Sequence, residues 1–453
     1  MGSDNIKKGK QYVTPSIPQG MVELLPKEQI LFNKMMNTIK SNYELFGFIP
    51  VDTPVIEKSE VLLAKSGGDT EKQVYRFQKG DNDLALRFDL TVPLARFVAQ
   101  HYGELTFPFR RYHIGRAYRG ERPQRGRFRE FYQCDIDIIG NEKLDIIYDA
   151  EIPSIIYKTF KDLGFDKFTI RYNNRKILNG IYEHIGITNV ETKIEVMRIV
   201  DKIDKLGPEA VIDLLKGLCD DKTAKLLIEI ISFMGSNEEI ITNLETMKIE
   251  NNIFQEGIRE ISEVTKNIRT FGVPDGNYAI DLKIARGLDY YTGTVYETTL
   301  NDYPEIGSVC SGGRYDNLAQ NYTDKQLPGV GISIGLSRLF YQLTTGNIID
   351  TDGAATTSQL LIIPMDDGLA YALETATQMR TEGIRTEVYA GEGKVSKKMT
   401  YANKLGIPYV IVIGENEKTN KRFNLKNMST GVQFDSDVSE AVKLLKATED
   451  KNG

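Results

Sequence analysis

The stretch RRYHIGRAYRGERPQRGRFREFYQCDIDIIG, residues 110–140, predicts the hairpin on which the fold is built. Apolar and polar side chains alternate over residues 110–119 and again over 127–139, which is typical of two strands. The segment GERPQRG joins them, with Gly120 and Gly126 at its ends. Glycines at both ends of a polar segment indicate a long hairpin connection.

The second strand of this hairpin has two different faces. A period of two places a mainly polar set on one face, and apolar side chains on the other. The polar set is Arg127, Arg129, Phe131, Gln133, Asp135 and Asp137, and the apolar set is Phe128, Tyr132, Ile136 and Ile138. A solvated face of an antiparallel sheet produces the same alternation, so the pattern alone does not establish a site.

The choice of cation is more informative than the alternation. The stretch contains no lysine, and the nearest lysines are Lys79 and Lys143, although the whole chain is acidic with a formal net charge of -6. A solvated face does not distinguish lysine from arginine, whereas a site that binds phosphate or carboxylate at two points, or that stacks on a base, does. The arginines therefore favour a binding site of one of these kinds over a solvated face. They are Arg110, Arg111, Arg116, Arg119, Arg122, Arg125, Arg127 and Arg129.

Length and composition limit the class of protein. A chain of 453 residues predicts two or three domains, and 41% hydrophobic with 26% charged residues is typical of a soluble globular protein. No apolar run is long enough to span a bilayer, and we expect no secretory leader and a cytoplasmic location. The three cysteines lie far apart, which predicts reduced thiols, and three histidines disfavour a zinc enzyme or a histidine-based triad.

The chain divides into segments of different texture. Residues 27–46 predict an amphipathic helix, followed by the extended segment FIPVDTPVIE. Residues 84–99 predict a strand that leads into a helix. From about 173 to 272 the patterns are helical and rich in glutamate and lysine, which predicts a helical insertion. After a polar linker, short apolar strands alternate with helices, which predicts a small α/β domain with a largely parallel sheet.

Other segments carry polar groups in strand or turn contexts. ARGLDYYTGTVYE (285–297) is by itself unremarkable as a hairpin, and CSGGRYDNL (310–318) favours a plain turn. GISIGLSRL (331–339) predicts a strand that runs into a helix, where Arg338 alone is typical of a surface charge. The chain has no P-loop and no dinucleotide-type GxGxxG, so an ATP site would be of another kind.

Together and in this order, these segments resemble the class II aminoacyl-tRNA synthetases and, within them, the histidyl-tRNA synthetase family. The resemblance covers nearly the whole chain. The predicted helix with FIPVDTPVIE and Pro54 resembles motif 1, RAYRGERPQRGRFREFYQCDIDIIG resembles motif 2, and GISIGLSRLF resembles motif 3. ARGLDYYTGTVYE and CSGGRYDNL resemble the two histidine-specific signatures.

The resemblance implies an α/β and α+β multidomain fold. It consists of an antiparallel-sheet catalytic core of the class II type with a helical insertion, and a C-terminal α/β anticodon-binding domain. The implied boundaries are 1–172 with 273–345 for the core, 173–272 for the insertion, 346–358 for a linker and 359–453 for the anticodon-binding domain.

The resemblance also implies roles for individual residues. Arg119 and Arg286 would act catalytically on the ATP α-phosphate, with Arg119 also gripping the histidine carboxylate. Arg338 and Gly335 would bind ATP. Contacts to histidine would come from Asp89, Leu90, Thr91, Arg119, Gln133, Asp137, Arg286, Tyr290 and Tyr291. Contacts to tRNA would come from Arg122, Gln124, Lys397 and Lys398, although lysines on a helix are more often a solvated face.

The implied reaction forms a histidyl-adenylate from L-histidine and ATP and passes the acyl group to histidine tRNA. ATP would enter with Mg²⁺, with no prosthetic group and no metal held by protein ligands. The motif 1 region implies a homodimer, and nothing implies a membrane partner. The insertion would clamp the tRNA acceptor arm, or it is a structural insertion with a solvated charged face.

The sequence departs from the family pattern in places. Ser337 stands where the family usually carries an acidic residue, which puts metal or adenine-side contacts in doubt. Position 137 is aspartate where many bacterial relatives have glutamate. The main alternative is the catalytically silent, synthetase-like regulatory subunit of ATP phosphoribosyltransferase, which typically lacks the anticodon-binding domain. A general RNA-binding scaffold explains the arginines but not Asp89, Asp137 and the paired tyrosines.

Overall fold

The computed structural model describes residues 13–64, 69–284 and 291–449. Contacts divide the chain into two compact units. One consists of the described residues up to Val22 with Met35–Thr345, and the other of Glu23–Lys34 with the described residues from Gly346 on. The contacts thus place Glu23–Lys34 with the second unit, whereas the predicted boundaries place it in the core. The four predicted boundaries stay a prediction.

The strands of the described residues are numbered in chain order. They are β1 (Ile49–Pro50), β2 (Ile56–Lys58), β3 (Arg76–Lys79), β4 (Asn82–Leu86), β5 (Phe109–Tyr118), β6 (Glu130–Ile139), β7 (Phe168–Asn174), β8 (Tyr278–Ile280), β9 (Tyr291–Leu300), β10 (Ser308–Tyr315), β11 (Gly329–Ile334), β12 (Leu360–Pro364), β13 (Thr386–Val388), β14 (Tyr409–Ile413), β15 (Phe423–Asn427) and β16 (Gln433–Ser436).

The helices are numbered in the same way. They are α1 (Pro26–Leu45), α2 (Ser59–Leu63), α3 (Asp69–Gln73), α4 (Thr91–Gln100), α5 (Ile147–Asp162), α6 (Arg175–His184), α7 (Val190–Val200), α8 (Ile203–Leu206), α9 (Pro208–Leu215), α10 (Asp221–Ile231), α11 (Asn237–Thr246), α12 (Asn252–Thr270), α13 (Leu336–Thr345), α14 (Leu369–Thr381), α15 (Val395–Leu405), α16 (Glu415–Asn420) and α17 (Val438–Glu449). In the described part of the chain, no helix is both long and apolar enough to cross a membrane.

A mixed, mainly antiparallel sheet forms the centre of the first unit. Within the described ranges it has eight strands in the order β1-β5-β6-β11-β10-β9-β7-β8. The predicted hairpin is the β5–β6 pair, in which Phe109 pairs with Ile139 and Tyr118 with Glu130. This confirms the antiparallel core. β6 lies between β5 and β11, and its last six residues are buried on both faces.

The second strand of the hairpin is shorter than predicted. It begins at Glu130 rather than at residue 127, and the connection therefore runs from Arg119 to Arg129. Within that connection Gln124 and Arg127 close a tight turn, with Gly126 at φ 71°. A turn of this kind needs a residue with positive φ at its third position, which glycine adopts without steric cost. The period of two does not reveal where a strand gives way to such a turn.

The segment predicted to be helical contains α6 to α12 between β7 and β8, so its helical secondary structure is confirmed. Several of these helices begin with a side-chain cap. The Ser236 hydroxyl, for example, accepts from the Glu239 backbone N–H, and the Glu239 carboxylate accepts from the Ser236 N–H. Such capping boxes satisfy N–H groups that a helix leaves unpaired.

The second unit has a five-stranded sheet among its described residues, in the order β13-β12-β14-β15-β16. The β12–β13 and β12–β14 pairs are parallel, as predicted, while β14–β15 and β15–β16 are antiparallel. The prediction missed β15 and β16, because their sequences are polar and half exposed and carry no apolar run. Apolar side chains of α14 and α17 pack with this sheet in one core.

Candidate active site

A cavity of about 480 Å³ opens on the central sheet of the first unit. Side chains from segments far apart in the chain line it, among them Asp89, Arg119, Gln133, Tyr291 and Arg338. Asp89 precedes α4, and Arg119 and Gln133 belong to the β5–β6 hairpin. Tyr291 begins β9, and Arg338 lies in the first turn of α13. The fold thus gathers these predicted site residues around one space.

Arg119 follows β5 at the point where the hairpin opens. Its guanidinium lies between the Phe88 ring, at 4.5 Å, and the Phe131 ring, at 5.0 Å, and its Nε donates to the Phe88 carbonyl oxygen at 3.3 Å. Two aromatic faces hold a guanidinium in a defined plane. The side chain is therefore oriented before any anion arrives.

Asp89 precedes the first turn of α4. Its Oδ1 accepts from the backbone N–H groups of Thr91, at 3.1 Å, and Val92, at 2.9 Å, so the turn Asp89-Leu90-Thr91 is fixed by its own carboxylate. Burial raises the pKa of Asp89, while these two N–H groups and Arg119 act in the opposite direction. A buried carboxylate oriented in this way suits a cationic ligand group.

Gln133 and Asp137 lie on the same face of β6. The Gln133 amide donates to Ser333 Oγ at 2.8 Å, and its Oε1 has no hydrogen-bond partner among the described residues. Asp137 forms an ion pair with Arg111 Nη2 at 2.6 Å and accepts from the Tyr315 hydroxyl at 2.8 Å. Burial raises the pKa of Asp137 to about 6, against the lowering effect of Arg111 and Tyr315.

Asp135 lies between them and also lines the cavity. Burial raises its pKa to about 7, although Arg111 and the Ser333 hydroxyl favour the charged form. Asp89, Asp135 and Asp137 thus bring three buried carboxyl groups to one cavity. Their arrangement is prepared for positive charge on a ligand, because buried carboxylates require a partner.

Tyr291 begins β9 and lines the same cavity. It lies beside Gly313 of β10, where an added Cβ would stand 3.0 Å from Tyr291 Cδ1 and 2.7 Å from the Thr294 carbonyl oxygen. CSGGRYDNL was predicted as a plain turn, and this was wrong, since Ser308–Tyr315 is a strand. The paired glycines leave room for adjacent strands and for Tyr291.

Arg286 and Tyr290 lie outside the described residues.

Arg338 and Gly335 lie where β11 passes into α13, as predicted. Arg338 Nη2 donates to the Ile306 carbonyl oxygen at 3.0 Å, and burial together with nearby Arg127 lowers the pKa of Arg338. The Ser337 hydroxyl accepts from the Tyr132 backbone N–H at 2.8 Å. Because β11 pairs with β6 only from Cys134 on, Ser337 satisfies an N–H that the sheet leaves unpaired.

The predicted tRNA-binding residues lie in two different environments. Arg122 and Gln124 are exposed in the hairpin loop, and Lys397 is exposed on α15. Lys398 is only 6% exposed, with its ammonium 3.4 Å from the Pro364 carbonyl oxygen and 5.5 Å from the centre of the Tyr389 ring. Its burial favours a structural role inside the second unit.

Three hairpin arginines without a predicted role, Arg110, Arg111 and Arg116, contact other side chains of the first unit. Arg110 forms two hydrogen bonds with the Glu151 carboxylate, at 2.9 and 2.8 Å. Arg116 lies 5.2 Å from the Tyr132 ring centre and 3.7 Å from Glu130. Arg111 is fully buried and was missed. The available signal was the strand period, which places Arg111 on the same hairpin face as Asp137 once the register is known.

No group of three or more His, Cys, Asp or Glu side chains in the described ranges is arranged to hold a metal ion. Glu297 nevertheless lines the cavity, and its negative charge acts to raise the pKa of Arg338. Carboxylate oxygens are ligands that Mg²⁺ accepts, usually together with substrate phosphates. The Glu297 carboxylate is therefore a donor that suits a Mg²⁺ ion entering with a phosphate ligand.

Comparison with known proteins places the chain in a family. Residues 20–339 match the family model for histidyl-tRNA synthetase, and residues 359–448 match that for an anticodon-binding domain. A histidine–tRNA ligase of Clostridium tetani is 59% identical over 439 residues, which cover 96% of this chain and 99% of the relative.

Solved structures agree with this assignment. The crystal structure of histidyl-tRNA synthetase from Nostoc sp. PCC 7120 is 36% identical, with a TM-score of 0.89 over 96% of this chain and 100% of that one. A Bacillus halodurans structure titled as an ATP phosphoribosyltransferase regulatory subunit/histidyl-tRNA synthetase has a TM-score of 0.73 over 86% of this chain and 97% of that one. At 20% identity that likeness shows the fold alone. The chain belongs to the histidyl-tRNA synthetase family.

Proposed function

We propose that this chain ligates L-histidine to its cognate tRNA. A histidine carboxylate oxygen attacks the ATP α-phosphorus, and pyrophosphate leaves as the histidyl-adenylate forms. The 3′-terminal ribose hydroxyl of the tRNA then attacks the acyl carbon, and AMP leaves. The observation that carries the proposal is the cavity that joins Arg119 to the half-buried Gln133 and to the buried carboxyl groups of Asp89 and Asp137.

The amino acid would lie along β6. Asp89, with the turn through Leu90 and Thr91, supplies a buried carboxylate for the α-ammonium, and Gln133 Oε1 offers an acceptor beside it. Asp137 and Tyr291 would each contact one imidazole nitrogen. A site that hydrogen-bonds both nitrogens leaves buried groups unpaired with any other amino acid, and such sites reject analogues by about 10⁴ to 10⁵.

The reacting groups would meet at Arg119. Its oriented guanidinium can bind the histidine carboxylate and the α-phosphate together, and one fixed donor of this kind contributes about 3 kcal/mol to the transition state. Arg338 and Gly335 would bind ATP at the α13 end of the cavity, with Mg²⁺ entering on the phosphates. For Arg286 we propose a place on the other side of the α-phosphate, and Tyr290 would pack beside the imidazole.

We assign the tRNA contacts to exposed groups. Arg122 and Gln124 in the hairpin loop would meet the acceptor end, and Lys397 in the second unit would contribute to anticodon binding. The burial of Lys398 argues against a direct contact between its ammonium and the tRNA. The helices α6 to α12 would clamp the acceptor arm.

We also propose a cytoplasmic homodimer that forms through the motif 1 region. Leu45 and Ile49, next to the sheet edge at β1, are 69% and 53% exposed, which supports burial of this edge by a second copy. Sedimentation of the purified protein tests the homodimer: a dimeric mass is expected, and a monomer at micromolar concentration would contradict it.

Charging of histidine tRNA with labelled histidine tests the function. The wild-type protein should charge this tRNA and no other, and Arg119→Ala should lose at least about 100-fold in rate, since one transition-state donor contributes that much. A folded wild-type protein without charging activity would support the regulatory-subunit alternative. In that case the protein should instead raise the rate of an ATP phosphoribosyltransferase.

A further inference from the structure

Arg111 is a buried cation that no predicted role uses. It is 0% exposed, and its Nη2 lies 2.6 Å from Asp137 Oδ2 and donates to the Leu90 carbonyl oxygen at 3.3 Å. Its Nε and Nη1 have no hydrogen-bond partner among the described residues. Burying a guanidinium with so few partners is costly, so a reason beyond packing is required.

The two partners of Arg111 belong to opposite ends of the proposed amino-acid site. Leu90 is part of the turn that would hold the α-ammonium, and Asp137 is the carboxylate that would hold the imidazole. One guanidinium nitrogen, Nη2, therefore connects both ends. Its two N–H bonds are fixed in the guanidinium plane, whereas a lysine ammonium rotates, so Nη2 fixes the separation of the two acceptors better than a point charge does.

We propose that Arg111 is a positioning residue that sets the spacing between the turn at Leu90 and the carboxylate of Asp137, and thereby the length of the amino acid that fits. The inference deepens the proposed function and rests on it. Arg111 holds Asp137 from Oδ2, and the Tyr315 hydroxyl holds it from Oδ1. Each carboxylate oxygen has two lone pairs, so an acceptor position remains for an imidazole N–H.

Surrounding groups make the orientation of Asp137 depend on Arg111. Asp89 and Asp135 also face this guanidinium, and all three carboxyl groups are stabilised in their charged form by it. Without Arg111, Asp137 would keep only Tyr315 and would turn away from its negative neighbours. The turn at Leu90 would lose its link to the imidazole end at the same time.

Arg111→Met tests the inference, with Arg110→Met as a matched control. Arg110 is the adjacent arginine on the opposite side of β5, and its guanidinium is bound to Glu151. Three quantities are measured: the Kd for histidine by calorimetry without ATP, the KM for ATP in pyrophosphate exchange, and the ratio of kcat/KM for histidine over homohistidine. Homohistidine has one more methylene, for which enzymes discriminate by about 10 to 200-fold.

Arg111→Met should raise the Kd for histidine at least about tenfold and lower the histidine-to-homohistidine ratio at least about fivefold, with the KM for ATP within twofold, since only the amino-acid spacing changes. Arg110→Met should leave all three values unchanged even if it melts earlier. An unchanged ratio, or equal losses for histidine and ATP, would overturn the inference and assign Arg111 a purely structural role.

If Arg111→Met is insoluble, Arg111→Lys decides. A lysine keeps the charge but not the fixed plane of the N–H bonds, so the Kd for histidine should rise at least about threefold and the ratio should fall. Wild-type values in Arg111→Lys would overturn the inference. Absence of exchange in the wild-type protein would instead overturn the proposed function, so the two failures are distinguishable.

Discussion

At the scale of single residues, the hairpin arginines divide according to what they touch. Arg119 is held between two aromatic rings at the cavity, Arg110 is bound by Glu151, and Arg111 lies buried beneath Asp137. Arg110 binds at two points, Arg119 presents its flat faces to the rings, and among the described residues Arg111 binds through Nη2 alone. Of the three, Arg119 lines the cavity in which substrates would react. The use of arginine rather than lysine therefore indicates that the planar geometry of the guanidinium is needed. It does not by itself distinguish arginines that contact a substrate from arginines that contact only the protein.

Asp137 provides the first residue-scale prediction. Asp137→Asn should raise the Kd for histidine by about 10 to 100-fold at pH 8, because a hydrogen bond to a charged group contributes about 1.5–3 kcal/mol. Calorimetry with histidine measures this directly. A Kd within twofold of wild type would remove Asp137 from the imidazole site.

Asp135 predicts a pH dependence of stability. Burial raises its pKa to about 7, so between pH 4 and 7 the folded state binds a proton that the unfolded state has released. This contribution to the free energy of unfolding is present below pH 4 and is lost as the pH rises through 7. Asp135→Asn lacks it, at about 1.4 kcal/mol for each pKa unit.

The full chain is unfolded thermally without substrates at pH 5 and at pH 8, and the transition of the first unit is followed. The melting temperature of Asp135→Asn, relative to wild type, should be higher at pH 8 than at pH 5. An equal difference at both pH values would show that Asp135 does not titrate in this range.

At the scale of elements, the sheet explains why glycines recur in the strands at the cavity. An added Cβ at Gly331 of β11 would lie 2.3 Å from the Ile136 carbonyl oxygen and 2.4 Å from Asp137 Oδ1. Gly331→Ala should therefore displace Asp137, raise the Kd for histidine at least about tenfold and cost about 1–3 kcal/mol of stability through overpacking.

Gly103→Ala is the control for this substitution, because no atom lies within 4 Å of its added Cβ. It should leave histidine binding unchanged. If Gly331→Ala binds histidine as tightly as wild type, the close approach of β11 to Asp137 does not define the pocket.

In our proposal the hairpin loop contacts the tRNA and not the histidine, so a substitution there should affect tRNA charging and not adenylate formation. Arg122 is exposed there and contacts tRNA in our proposal, whereas the amino-acid groups lie on β6. Arg122→Ala should raise the KM for tRNA in charging about fivefold to tenfold and leave pyrophosphate exchange within twofold, since loss of one phosphate contact weakens only nucleic-acid binding. Lys79→Ala, an exposed cation of β3, should change neither value. Equal losses in both assays would contradict the assignment.

Local patterns predicted the strands of the hairpin, the strand before α13 and the helical texture of the segment from α6 to α12. They did not predict the start of β6 at Glu130 or the strand at Gly312 and Gly313, because a tight turn and a close strand approach depend on neighbours distant in the chain. Arg111 was missed for the same reason. Its pairing with Asp137 follows from the register, which the length of the loop sets.

At the scale of the whole molecule, the chain is acidic yet is proposed to bind a polyanion. Its net charge of -6 argues against general attraction to nucleic acid, so recognition would depend on a local set of exposed cations such as Arg122 and Lys397. The family match over 20–339 and 359–448 covers both units, and the resemblance in the motifs anticipated it. The roles of individual residues stay predictions until they are tested.

Histidine-dependent exchange of labelled pyrophosphate into ATP, without tRNA, tests the central claim most directly. The purified wild-type protein should catalyse the exchange with histidine. Its kcat/KM for every other amino acid should be lower than its kcat/KM for histidine by about 10⁴-fold or more, because any other amino acid would leave buried polar groups of the pocket unpaired. Arg286→Ala should abolish the exchange while histidine still binds. No exchange by the folded wild-type protein, or equal exchange with a second amino acid, would contradict the assignment of this cavity to histidine activation.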